Sequence, residues 1–131
     1  MHKTSSALLA GVALLLAVGC GGGGSSTPSS YSENDPEYQL AFIDGTGAKP
    51  DDATVAKYAR ALNRLHTKCG DSRRRLADMT VNSTKLLKSK KGLTYSNLEI
   101  VRDVNGSIPR SLGRSRSCAD FFVALVTLTT K

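Results

Sequence analysis

From Asp51 to Lys68 an apolar residue returns every three or four positions: Val55, Ala59, Leu62, Leu65 and, just beyond, Cys69. At 3.6 residues per turn these positions line one face of an α-helix, whereas the two-residue period of a strand scatters them over both faces. Pro50, Asp51 and Asp52 stand at the start and Gly70 just past the end, residues that open and close helices. Lys57, Arg60, Arg64 and Lys68 keep the same spacing on the opposite side, which predicts a basic stripe facing solvent, with Tyr58 flanking the apolar side. A short helix with one such stripe is stable only when other elements cover it, so the rest of the chain has to supply the cover.

That cover reads as helical. Asp35, Pro36 and Glu37 provide a cap, a first-turn proline and a first-turn acid. A short helix through about Phe42 follows, burying Tyr38, Ala41 and Phe42, and Asp44-Gly45-Thr46-Gly47 turns the chain. Ser72 to Lys91 forms a second long helix with Leu76, Met79, Thr80, Ser83, Leu86 and Leu87 on a weaker apolar face. Lys88, Lys90 and Lys91 precede Gly92, where positive charge suits the helix dipole. Arg73–Arg75 sit in its first turn, where the dipole opposes each by a few tenths of a kcal/mol, with Asp71 as an offsetting cap. A triplet in so unfavourable a place points to a contact that it serves. Thr94 to Asn105 gives a third helix, capped by Thr94, stapled by Leu93 and Leu98, and stopped by Gly106 and Pro109. Its inner face is Leu98, Val101 and Val104, and residues 107–116, with Arg110, Arg114 and Arg116, read as a basic loop.

Ser117-Cys118-Ala119-Asp120 is a capping-box-like start for the last element. Phe121–Leu128 is apolar almost all the way round, which predicts a central buried helix, although its β-branched residues also permit a strand. The cap, and the lack of any strand to pair with, favour the helix. The expected fold is all-α: a small four-helix bundle with a short extra N-terminal helix, over residues 35–131. With no tryptophan, four tyrosines and three phenylalanines, its core has to rest on Leu, Val, Ala and Ile.

The first thirty residues are organised differently. His2 and Lys3 precede a 12-residue apolar run, Ala7–Val18, too short for a hydrocarbon core that takes about 20 residues. Leu16-Ala17-Val18-Gly19-Cys20 ends that run, and Gly21–Gly24 and Ser25–Ser30 follow at once. This order resembles the signal peptide of bacterial lipoproteins. The resemblance implies cleavage before Cys20, lipid on Cys20, and an exported protein anchored to the outer face of the cell membrane. Residues 1–19 are then the signal peptide, and residues 20–34 the lipidated cysteine and a flexible tether. Ten Gly/Ser-type residues give it a span of roughly 17–19 Å. The alternative is cleavage by the ordinary signal peptidase and release of a soluble protein. If Cys20 carries lipid in an oxidising compartment, Cys69 and Cys118 are left as one disulfide pair. That bridge closes a loop of about 50 residues, worth roughly 4 kcal/mol in the chain-entropy model.

Formal net charge is +7, unevenly spread. Residues 31–48 hold Glu33, Asp35, Glu37 and Asp44 and no Lys or Arg, while residues 49–131 hold 17 Lys and Arg against seven acids. An acidic arm leads into a basic body, which suits anionic lipid, wall polymer or acidic protein outside the cytoplasm rather than nucleic acid. The basic sets are the Lys57, Arg60, Arg64 and Lys68 stripe, Arg73, Arg74 and Arg75, Lys85–Lys91, and Arg110, Arg114 and Arg116.

Groups for catalysis are scarce. His66 is the one histidine after the leader, placed on or beside the apolar face, where a lone histidine is a packed residue rather than a base. Zinc needs three or four close His, Cys or acidic ligands, and none gather around it. No Gly-x-Ser-x-Gly is present, and Asp71/Asp78 and Glu99/Asp103 read as solvated partners of nearby cations. No enzyme activity, metal or cofactor is therefore expected. Three readings remain in order: a lipid-anchored module docking on an envelope protein, electrostatic binding to anionic lipid or wall polymer, and an enzyme using His66. Oligomeric state is not legible.

Overall fold

The structure, a computed structural model, describes residues 29–129. The signal segment, Cys20 and most of the tether lie outside the described residues. Five helices follow in order: α1 (Pro36–Asp44), α2 (Asp52–His66), α3 (Arg73–Lys91), α4 (Asn97–Ser107) and α5 (Ala119–Leu128). Among the described residues there is no strand, only an isolated parallel bridge between Cys69 and Gly113. The fold is a small all-α bundle with a short extra helix at its N-terminal end.

The amphipathic helix does organise it. Asp51 accepts a hydrogen bond from the Thr54 amide at 2.7 Å and opens α2, which turns Val55, Tyr58, Ala59, Ala61, Leu62 and Leu65 inward. Leu76 and Leu87 of α3, Ile100, Val101 and Val104 of α4, and Leu40 of α1 close over them. Helix α3 starts at Ser72, whose hydroxyl accepts from the Arg75 amide, and ends on Gly92 in the left-handed conformation (φ 66°). There the Gly92 and Leu93 amides donate to the Lys88 and Leu87 carbonyls, which closes the final turn. Cys69 and Cys118 form a disulfide with Cα atoms 5.7 Å apart, pinning the exit of α2 to the entry of α5.

Several expected details move. Helix α1 runs on to Asp44, and Phe42 is left exposed while Glu37, Tyr38, Leu40 and Ala41 are buried. Helix α4 is capped by Ser96 rather than Thr94, in a complete capping box with Glu99. Gly106 lies inside it instead of stopping it, because the apolar anchor Ile108 is the residue that leaves the helix and is buried. Asp71 does not cap α3. Its carboxylate reaches across to the start of α5, accepting from Ser117 Oγ and, at 2.7 Å, from the Cys118 amide.

The largest correction concerns α5. Instead of a central buried helix it is a peripheral one, with Phe122 its single buried residue. Val123 is 62% and Leu128 76% exposed. Cap residue Cys118 makes no side-chain cap bond, so Ser117, donating to Asp71 and accepting from the Ala119 amide, serves the start of the helix.

Candidate functional site

The arginine triplet, expected to reach outward, is largely absorbed by the fold. Arg73 pairs with buried Glu37 at 2.5 Å, Arg74 donates to Gln39 Oε1 and to the Asn34 carbonyl, and Arg75 Nε lies 3.2 Å from buried Asp71. The acidic arm is therefore folded onto the basic body by the residues that the helix dipole disfavours. Its remaining anchor is Asp44, which accepts from Tyr58 Oη at 2.6 Å and from the Asn97 and Leu98 amides at the start of α4. Burial first, then this bond to a carboxylate, pushes the Tyr58 hydroxyl well above the ordinary tyrosine range, with Arg102 opposing the shift.

Two lysines serve helix ends. Lys68 Nζ donates to the Asn105 and Ile108 carbonyls at the end of α4, at 2.8 and 2.9 Å. Lys91 Nζ does the same for Thr127 and Thr129 at the end of α5. Each ammonium binds carbonyls at a helix C-terminus, where the dipole is negative. Lys68 thus leaves the solvent-facing stripe predicted for it.

Lys57, Arg60 and Arg64 remain as an exposed row, but they do not face open solvent alone. They share a hollow of about 350 Å³ with Arg102 and Asn105 of α4, with Ala61 among its lining residues. Small Ala61 lets the two helices approach, and no carboxylate lines the space. Asn105 Oδ1 is buried without a hydrogen-bond partner. Arg102 escaped the sequence reading because it stands singly between Val101 and Asp103, and only the α2/α4 packing brings it to the α2 row. Arg110, Arg114 and Arg116 are exposed in the 108–117 loop, away from this hollow. Backbone bonds lash that loop to the end of α2: Leu112 donates to Lys68, and Gly70 donates to Arg116.

His66 is exposed, contrary to the packed placement predicted. Its Nδ1 lies 2.8 Å from the Asp71 carbonyl oxygen, which can only accept, so Nδ1 carries a proton. A hollow of about 360 Å³ beside it is lined by Thr67, Cys69, Gly70 and Arg114. The arrangement does not assemble a nucleophile, since Ser117 Oγ donates to the Asp71 carboxylate and not to the imidazole. Cys69, Asp71 and Cys118 have ligand atoms close together, but both sulfurs are committed to the disulfide, which leaves no thiolate for a metal.

Between α3 and α5 lies a shallow apolar trough of about 370 Å³, lined by Met79, Leu86, Phe122, Val123 and Val126 among others. Leu86 is 40% exposed, and Phe121, Leu125 and Val126 are half-buried. Asn82, Ser83 and Thr127 supply uncharged polar groups around it. The all-round hydrophobicity of residues 121–128 is the sequence signal for this surface, and by itself it fits a core helix equally well. No protein-family model, curated protein or solved structure matches the chain.

Proposed function

We propose that this chain is an exported, lipid-anchored, non-enzymatic interaction module that docks on another envelope protein through the α3/α5 face. The observation that carries the reading is a helix apolar from Phe121 to Val126 with one buried residue, Phe122. Burial of apolar side chains is the main return on folding a short helix, so α5 completes that burial on a partner. An apolar centre of Met79, Leu86, Val123 and Val126 with an uncharged polar border has the anatomy of a protein interface. Lipid on Cys20 would hold the domain beside its partner and raise the local concentration of a weak contact.

Site-specific photocrosslinking from position 123 of the full chain in the native envelope tests this. A discrete heteroprotein adduct that vanishes with Leu86→Asp supports the reading, provided Leu86→Asp leaves the helical circular dichroism intact. An adduct of twice the chain's own mass would replace it with self-association. No adduct, or one indifferent to Leu86→Asp, would overturn it.

A further inference from the structure

Several basic side chains are taken up by acceptors of the fold itself. Arg73 and Arg75 meet buried carboxylates, Arg74 meets a side-chain amide and a carbonyl, and Lys68 and Lys91 meet helix-end carbonyls. Lys57, Arg60, Arg64 and Arg102 are exposed and are not taken up in this way. Among the described residues none of these four side chains has a hydrogen-bonded or ion-paired protein acceptor, yet α2 and α4 gather them around one hollow of about 350 Å³. Solvated cations on a basic surface spread apart, since like charges at close range repel. Here helical spacing holds three in a row while packing of α4 adds the fourth. We infer that the α2/α4 hollow is a binding site for a compact phosphate-bearing anion.

The donor chemistry matches that class. Three guanidinium groups present planar forks that engage phosphate oxygens in pairs, and Lys57 adds a point charge. Asn105 also lines the hollow, and its side-chain amide can hydrogen-bond a ligand hydroxyl beside the phosphate. A volume of about 350 Å³ takes one headgroup-sized molecule and lies at the small end of ligand pockets. A phosphate with a neighbouring hydroxyl is found both in free glycerol phosphate and in the headgroup of phosphatidylglycerol. The site is separate from the α3/α5 face and stands or falls without it.

The test is calorimetric titration of the full chain, in neutral detergent micelles at fixed ionic strength, with glycerol phosphate. Saturable one-to-one binding is expected, weakened at least tenfold by the double change Arg60→Gln and Arg64→Gln. Arg110→Gln with Arg116→Gln, which removes equal charge from the exposed loop, should change it less than twofold. Circular dichroism of both variants checks that each remains folded. Doping the micelles with phosphatidylglycerol then distinguishes the sources. Displacement of glycerol phosphate assigns the hollow to a lipid headgroup, and undiminished binding assigns it to a soluble phosphate compound. Absence of saturable binding, or equal weakening by the two variants, would overturn the site.

Discussion

Tyr58 shows how one side chain couples three segments of this chain. It projects from α2, donates a hydrogen bond to Asp44 at the end of α1, and through that carboxylate is linked to the first amides of α4. Tyr58→Phe keeps the ring and removes the donor, so a loss of about 1–2 kcal/mol is expected in urea unfolding at neutral pH. Because the folded-state pKa lies above the unfolded 10.0, Tyr58 contributes stability fully below pH 10 and loses it as pH climbs beyond that value. The Phe variant should therefore show a shallower alkaline decline than the parent. Asp51 and Asp52 work with the opposite sign. Hydrogen bonds from Thr54 and from Ser29, respectively, hold their carboxyls below the usual range, so their contribution is present above about pH 4 and fades as pH falls. Gly70 is constrained by space instead, since a Cβ there would overlap the Arg114 carbonyl. Gly70→Ala should cost about 1–3 kcal/mol in the same unfolding measurement, by forcing the 108–117 loop off the end of α2.

Helix boundaries are legible in the sequence where a residue has one possible role and ambiguous where it has two. The Asp51 cap of α2, the Gly92 stop of α3 and the 3.6-residue stripe of α2 were legible because local chemistry alone decides them. At α4 two hydroxyls competed for the cap, and Ser96 prevails because Glu99 stands three residues after it and returns the bond. Ser96→Ala should accordingly cost about 1 kcal/mol in thermal unfolding, while Thr94→Ala stays within about 0.5 kcal/mol. Arg102, Asp44 and Asp71 meet elements distant from them in sequence, and nothing in their immediate sequence announces it. Helix α5 was misplaced for a related reason. Hydrophobicity reports that a segment seeks cover, not whether the same chain provides it.

For the molecule as a whole, the disulfide outweighs any single side chain. It joins residues 49 apart in sequence and links α2 to a helix that adds only Phe122 to the buried core. Replacing both cysteines by serine should lower stability by about 4 kcal/mol, read as a fall in the urea midpoint of the oxidised protein. Reductant should bring the parent to the same midpoint and leave the variant unmoved. The charge imbalance between residues 31–48 and the remainder also acts at this scale, through Arg73 and Glu37 in particular. Glu37 is nearly inaccessible, so Arg73→Met strands a carboxylate and should cost about 3 kcal/mol, much of it recovered by Glu37→Gln in the same chain.

Helix α5 is fastened at its two ends and sparsely along its length. The bridge and Asp71 hold the entry, Lys91 holds the exit, and Phe122 alone is fully seated between them. Opening such a helix exposes little additional apolar area, so its free energy of opening lies far below that of unfolding the bundle. Its amide protons should then trade with solvent deuterium well before those of α2. In each brief excursion Phe122 and its half-covered neighbours join Val123 and Leu128, and the chain offers a broader adhesive surface than its resting form displays.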